Sequence, residues 1–145
     1  MRPDIYFDTS ALAKWYLNEP RSNEVEEYLI AHGPVSISHL TVVEVRSLLA
    51  RRRREKSIDP KLETEIFATF QEDIRKNFLI SHPLPEGIAW GTANLISVLP
   101  DIPLRTLDAL HLWIAKEIQA EILATADRIM AAGGQALGFS VIRFD

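Results

Sequence analysis

Short apolar segments alternate with amphipathic segments along the entire chain, and this alternation restricts the fold more than any other feature of the sequence. Apolar runs predict strands at residues 5–7, 35–38, 121–125 and 138–144, and residues 78–84 predict a strand or an extended connector. The segments between these runs carry apolar residues at helical spacing. Strands that alternate with helices are typical of an α/β fold around a parallel sheet.

Length and composition indicate one folded domain over residues 1–145. The chain has 145 residues, 47% of them hydrophobic and 25% charged, and no internal repeat or linker divides it. No apolar stretch approaches the roughly 20 residues that span a bilayer, so we expect no membrane association. The absence of cysteine excludes disulfides and thiolate metal sites and fits a reducing cytoplasm.

Polar residues and glycines mark where the predicted helices begin and end. Thr9 or Ser10 is a suitable N-cap for the first helix. Thr41 and Glu44 have the spacing of a capping box after the second strand. The glycines at positions 133–134 predict the end of the last helix.

Four acidic residues lie at the ends of predicted strands or at the starts of helices. Asp8 follows the first strand, and Glu44 is predicted in the first turn of the helix after the second strand. Asp108 lies in the first turn of a buried helix predicted over residues 105–120, and Asp127 follows a later strand. Ligands of open parallel sheets bind at the carboxyl ends of the strands. We therefore expect the four carboxylates to converge.

Converging carboxylates raise one another's pKa values unless a cation neutralises them. A site made of carboxylates and hydroxyls suits Mg²⁺ or Mn²⁺, which lowers the pKa of bound water and holds a phosphate oxygen during in-line attack. The alternative is that each acid only caps a helix or favours its first turn. Thr9, Ser10 and Thr125 are caps under that interpretation, whereas at a metal site they bond to the acids or to a metal-bound water.

Five segments resemble, in order, the motifs of the PIN-domain ribonucleases, and most closely the VapC-type toxins of toxin–antitoxin pairs. The segments are IYFDTSALAKWYLNEP, SISHLTVVEVRSLLARR, LRTLDALHLWIA, ILATADRIMAAG and LGFSVIRF. The resemblance covers nearly the whole chain and is weakest over residues 56–103.

This resemblance implies a three-layer α/β/α sandwich with a central, mainly parallel sheet, and a Mg²⁺- or Mn²⁺-dependent endoribonuclease acting as a toxin. The residues that match the family's catalytic, metal-binding acids are Asp8, Glu44, Asp108 and Asp127. The residues that match its hydroxyl-bearing neighbours are Thr9, Ser10 and Thr125. The resemblance also implies a homodimer and a cognate antitoxin whose tail enters the groove. Some relatives carry a further acid near Asp127, whereas here Arg128 and Ile129 follow it, which leaves the number of metal ions open.

The histidines give a separate indication of mechanism. A metal-free ribonuclease usually needs acid–base side chains, commonly histidines, placed to use the 2′-hydroxyl of its substrate. His32, His39, His82 and His111 form no paired motif, which favours water activated by a metal ion. His111 lies one turn from Asp108 and is predicted to be a buried helix residue with local hydrogen bonds.

The formal net charge of −4 does not predict nucleic-acid binding, so any such role must rest on a local basic patch. Residues 51–56 carry five positive charges, which either solvate the end of a helix or contact phosphates of an RNA substrate. Arg105 and Arg128 lie near acids in the sequence and either steer phosphate or pair with those acids. The residues considered for RNA binding are Lys14, Arg46, Arg51, Arg52, Arg53 and Arg54.

Two other functions compete with the nuclease. One is a phosphohydrolase of the haloacid-dehalogenase type with Asp8 as nucleophile, although such enzymes usually place a second acid where Ser10 stands. The other is a non-catalytic module that binds RNA or an antitoxin. A surface that only binds phosphate gains nothing from clustered carboxylates, so the nuclease is preferred.

Overall fold

Five short strands form one sheet in the computed structural model, which describes residues 4–145. The strands are β1 (Ile5–Phe7), β2 (Val35–Ser38), β3 (Leu79–His82), β4 (Ile122–Thr125) and β5 (Ser140–Arg143). The helices are α1 (Thr9–Tyr16), α2 (Ser22–His32), α3 (His39–Arg54), α4 (Pro60–Arg75), α5 (Ile88–Val98), α6 (Thr106–Glu117) and α7 (Arg128–Ala136). The strands lie in the order β3-β2-β1-β4-β5, and each neighbouring pair is parallel. The predicted α/β fold is confirmed.

The sheet lies between two layers of helices. Successive side chains of β1 point to opposite faces of the sheet, so they pack against different layers. Phe7 belongs to a hydrophobic cluster that includes buried residues of α1, α2, α3 and α4. Tyr6 belongs to a second cluster that includes buried residues of α5, α6 and α7. The three-layer α/β/α arrangement is therefore also confirmed.

The strand order defines one crevice. The chain runs from β1 to β2 and β3 on one side, and then returns to β4 on the other side of β1. Such a reversal is where open α/β sheets bind their ligands, just beyond the carboxyl ends of the strands. Asp8 directly follows β1, and Asp127 begins the helix that follows β4.

Two helix starts differ from those predicted. The N-cap of α1 is Asp8 rather than Thr9 or Ser10, and its side chain accepts a hydrogen bond from the backbone of Ala11. Helix α3 begins at His39 directly after β2, so Glu44 lies in its second turn instead of its first.

The glycines of α7 do not end the helix, which continues to Ala136. They permit close packing instead: a Cβ atom on Gly134 would lie 2.6 Å from Leu123 Cδ2, and one on Gly133 would lie 2.7 Å from Leu112 Cδ1. The chain turns only at Gly138, where φ is +92°, a conformation that glycine adopts readily. Over residues 4–145, none of the helices has the length and apolar character needed to cross a membrane.

Candidate active site

A cleft of about 810 Å³ opens at the reversal of the strand order and is lined by all four predicted acids. It is bordered by the start of α1, by α3, and by the starts of α6 and α7. Its other polar lining residues include Thr9, Ser10, Lys14, Glu19, Arg51, Arg52, Arg105 and His111. Side chains distant in the sequence are thus brought to one edge of the sheet.

Asp8 is both a helix cap and the most enclosed acid of the cleft, with only 3% of its surface exposed. Its Oδ1 accepts hydrogen bonds from Ala11 N at 3.0 Å and from Ser10 Oγ at 2.7 Å. Thr125 Oγ1 donates to Oδ2 at 2.5 Å. Burial raises the pKa of Asp8 in spite of these bonds. A buried carboxylate whose charge is poorly solvated favours the approach of a cation.

Glu44 is held by two donors at the same oxygen. Thr9 Oγ1 donates to Oε1 at 2.8 Å, and His111 Nε2 lies 2.5 Å from it. Burial alone would raise the pKa of Glu44 and is the largest single effect, but the bond and charge of His111 and the bond from Thr9 together outweigh it and lower the pKa below its usual value. Glu44 therefore stays ionised at neutral pH.

Asp108 and Asp127 share one guanidinium group. Arg105 Nε donates to Asp108 Oδ2 at 3.1 Å, and Arg105 Nη2 donates to Asp127 Oδ2 at 2.6 Å. The backbone N–H of Arg105 also donates to Asp108 Oδ2 at 3.1 Å. Asp127 caps α7 by accepting from Met130 N at 2.9 Å. These bonds keep the two acids at the start of α6 and the start of α7.

Comparison with known proteins supplies the family. The family model of the PIN domain matches residues 5–134. The chain belongs to the PIN-domain family. It is 30% identical to ribonuclease VapC47 of Mycobacterium tuberculosis over an alignment 145 positions long, which covers 93% of each protein.

Solved structures agree with this assignment of the fold. The crystal structure of VapC20 from Mycobacterium tuberculosis, a toxin that cleaves the sarcin–ricin loop, aligns with a TM-score of 0.70 at 16% identity over 90% of this PIN domain and 95% of VapC20. The DNA-bound VapBC structure from Salmonella typhimurium aligns with a TM-score of 0.71 at 17% identity over 100% of both chains. At these identities the likeness establishes the three-layer fold.

The acids of this PIN domain line one cleft without forming a closed metal site. Among residues 4–145, no group of three or more acidic, histidine or cysteine side chains is arranged to hold a metal ion. The donors nevertheless suit Mg²⁺ or Mn²⁺, because they are carboxylate and hydroxyl oxygens. Glu44 Oε2 and Asp108 Oδ1 accept no hydrogen bond from the described residues, so each acid keeps one oxygen available as a ligand.

His111 contributes more to the site than the sequence predicted. It is a buried residue of α6, as expected, but its bonds are long-range: besides Glu44, its Nδ1 contacts the hydroxyl of Tyr6 at 2.7 Å. The Tyr6 hydroxyl in turn lies 3.0 Å from Ser38 Oγ. A buried chain of hydrogen bonds thus connects the end of β2 to Glu44. The spacing of three residues from Asp108 was the only sequence signal for this position.

The basic residues considered for RNA binding separate into two groups. Lys14, Arg51 and Arg52 line the cleft. Arg46 and Arg53 pair instead with Glu63 on α4, at 3.1 Å and 2.8 Å, outside the cleft lining. Arg54 is exposed and likewise does not line the cleft.

Proposed function

We propose that this PIN domain is an endoribonuclease dependent on Mg²⁺ or Mn²⁺ and acts as the toxin of a type II toxin–antitoxin pair. The observation that carries the proposal is the convergence of four acids on one cleft at the reversal of the strand order. The relative VapC47 is named a ribonuclease, and VapC20 is a toxin that cleaves the sarcin–ricin loop.

Asp8, Glu44 and Asp108 are the proposed metal ligands, and Asp127 completes the acidic lining of the cleft. A divalent ion bound there would lower the pKa of a water molecule and neutralise charge on the phosphate that is attacked. The products we expect are a 5′-phosphate and a 3′-hydroxyl.

The chain's own side chains hold these acids in place. Ser10 and Thr125 donate to Asp8, and Thr9 donates to Glu44, so the hydroxyls fix the orientation of two carboxylates. Such supporting bonds commonly change metal affinity by about 10–100-fold when they are removed.

RNA reaches the acids through a cleft whose rim is basic. Lys14, Arg51 and Arg52 line it, and contacts of this kind supply most of the affinity for a nucleic-acid backbone. Arg52 also pairs with Glu19 at 2.6 Å, and Lys14 Nζ donates to the carbonyl of Pro20 at 2.7 Å. These bonds hold the two cations beside the cleft, where the side chain of Arg52 is 32% exposed and that of Lys14 is 11% exposed.

The proposed partners are a cognate antitoxin protein and a second copy of the chain. The structural relative from Salmonella typhimurium is a DNA-bound VapBC complex, which supports an antitoxin partner. We further propose that residues 1–145 form a single nuclease domain, and that it acts in the cytoplasm, where its RNA substrate lies.

The competing functions have less support. The carboxylate of Asp8 caps α1 and accepts three hydrogen bonds, so each of its oxygens already has a donor. These bonds make the carboxylate a weaker nucleophile for phosphohydrolase chemistry. A module that only binds RNA or an antitoxin does not need buried acids in its cleft. Metal-dependent cleavage of RNA separates the nuclease from both alternatives.

Cleavage of total cellular RNA by the purified protein, freed of bound partner, tests the proposal. We would run the reaction with Mg²⁺, with Mn²⁺ and with EDTA, beside Asp8→Asn and the control Asp59→Asn. Asp59 is a matched control because it caps α4 in the same way, through Leu62 N, and does not line the cleft.

We expect discrete cuts that require metal, disappear in Asp8→Asn and persist in Asp59→Asn. Cutting that continues in EDTA and in Asp8→Asn would contradict the proposal. RNA binding without cutting under any condition would favour the non-catalytic module, and a phosphorylated Asp8 detected by mass spectrometry would favour the phosphohydrolase.

A further inference from the structure

Arg105 connects two acids that belong to different parts of the chain. Its Nε bonds to Asp108 on α6, and its Nη2 bonds to Asp127 at the start of α7. The side chain nevertheless remains 66% exposed and lines the cleft. A single guanidinium group therefore already supplies positive charge to two of the four acids predicted from the sequence.

The bonds of Asp127 leave it poorly suited to ligate a metal ion. Its Oδ1 accepts from Met130 N, and its Oδ2 accepts from Arg105 Nη2, whose positive charge repels a metal ion. Both oxygens of Asp8 also accept hydrogen bonds, but its donors, which are Ala11 N, Ser10 Oγ and Thr125 Oγ1, are neutral. Asp108 differs, because its bonds to the backbone and side chain of Arg105 all fall on Oδ2. Asp108 can hold Arg105 on one oxygen and a metal ion on the other, whereas a metal ion at Asp127 would lie beside either the guanidinium group or the N–H that caps α7.

Arg105 also keeps donors for a ligand. Among the described residues, no hydrogen bond is made by its Nη1. A guanidinium group offers five N–H donors in a planar fork that matches phosphate oxygens. An arginine side chain is not deprotonated in proteins, so Arg105 keeps its charge at any physiological pH.

We propose that Arg105 is a catalytic residue of this site and takes the place of a second divalent ion, an inference that rests on the proposed nuclease function. Asp108 and Asp127 anchor the guanidinium group, and its Nη1 edge binds the scissile phosphate and stabilises the charge that develops there. The cleft then binds one divalent ion, through Asp8, Glu44 and Asp108. The role of Asp127 is to anchor Arg105.

The first test counts Mn²⁺ ions and measures their affinity by electron paramagnetic resonance, independently of cleavage. We expect one ion per chain of the wild-type protein, and the same affinity within about threefold for Asp127→Asn, which keeps an acceptor for the cap of α7. Asp108→Asn should weaken binding by about tenfold or more, the range for a lost ligand or its close partner. The proposal would be overturned by two Mn²⁺ ions per wild-type chain or by an unchanged Mn²⁺ affinity in Asp108→Asn. It would also be overturned if Asp127→Asn lost as much Mn²⁺ affinity as Asp108→Asn.

The second test measures RNA cleavage by Arg105 variants at saturating Mn²⁺. Arg105→Gln should lower kcat by on the order of 10²–10³-fold, as when a donor to a developing negative charge is removed, with Mn²⁺ affinity unchanged. Arg105→Lys keeps the positive charge but not the planar fork of donors, so its kcat should lie between that of the wild type and that of Arg105→Gln. The control is Arg75→Gln, which removes another exposed arginine paired with an acid three residues away, Glu72.

If Arg105→Gln kept the wild-type kcat, the proposal that Arg105 binds the scissile phosphate would be overturned. A loss of Mn²⁺ affinity in Arg105→Gln as large as its loss of kcat would overturn it as well. Failure of the wild-type protein to cut any RNA would instead refute the nuclease function. In that case the Mn²⁺ counts would still decide whether the site holds one ion or two.

Discussion

Replacement of His111 by alanine tests whether the buried chain of hydrogen bonds supports the candidate site. His111 is 3% exposed, and its two ring nitrogens contact Glu44 at 2.5 Å and Tyr6 at 2.7 Å. A carboxylate only accepts hydrogen bonds, so His111 Nε2 carries the proton of the bond to Glu44. The variant removes both bonds and leaves Glu44 without its strongest partner.

The expected loss of stability follows from these two bonds. A hydrogen bond to a charged group contributes about 1.5–3 kcal/mol and a neutral one about 1 kcal/mol, so we expect a loss of about 3 kcal/mol. The entropy of unfolding is about 2.1 cal/mol/K per residue, or about 0.3 kcal/mol/K for a chain of this length. The melting temperature should therefore fall by about 10 °C.

Thermal unfolding followed by circular dichroism measures this change, with His82→Ala as the matched control. His82 is a half-buried histidine of β3 whose Nε2 lies 2.9 Å from Ser36 Oγ, outside the cleft lining. It forms one neutral bond, so its removal should cost about 1 kcal/mol, or about 3 °C. Equal shifts in the two variants would refute the reasoning, because the bond to the charged carboxylate would then contribute nothing.

Three further outcomes follow from the structure. The pKa of Glu44 is lower in the folded state than its usual 4.5, so its ionised form stabilises the protein above about pH 4.5, and this contribution is lost as the pH falls. Urea unfolding measured at a series of acidic pH values should show this loss of stability in the wild type and not in His111→Ala. Burial raises the pKa of Asp8 above its usual 3.8, so the stability of the metal-free protein falls as the pH rises from about 3.8 through the raised value. Without divalent ions, Asp8→Asn should therefore melt higher than the wild type at pH 7 but not at pH 3, as thermal unfolding at the two pH values would show. Gly134→Ala places a Cβ atom 2.6 Å from Leu123 Cδ2 and should lower the urea stability by about 1–3 kcal/mol, whereas an unchanged midpoint would mean that this contact relaxes freely.

The placement of Asp8, Asp108 and Asp127 follows from local patterns. Asp8 and Asp127 come just after apolar runs, and Asp108 comes early in a helix that is apolar on several sides, so the strand ends and the helix start bring them to one edge. Glu44 was assigned to the wrong turn, because Ser38 both ends β2 and occupies the N-cap position of α3, although its side chain makes no capping hydrogen bond. A serine in that position is as compatible with a strand end as with a cap, so the sequence alone does not determine where α3 begins.

The partners of charged residues depend on elements that are remote in the sequence. The arginine run looks uniform, but successive residues on a helix point in different directions, and α4 places Glu63 beside Arg53 and Arg46. Only Arg51 and Arg52 of the run remain at the cleft. The bond from Arg105 to Asp127 spans 22 residues and depends on how α6 and α7 pack against the sheet.

The acids of this cleft also build the helices around it, and this affects how any substitution must be interpreted. Asp8 caps α1 and Asp127 caps α7, so replacement of either by alanine removes a charge and a helix cap together. Loss of a cap alone costs about 1 kcal/mol. Asparagine keeps an oxygen for the backbone N–H, and it removes the charge and the second acceptor oxygen. A cleavage defect shared by Asp8→Asn and Asp8→Ala, with a lower melting temperature only in Asp8→Ala, would therefore assign the defect to the loss of the carboxylate and not to the loss of the cap, because the cap is intact in one variant and missing in the other.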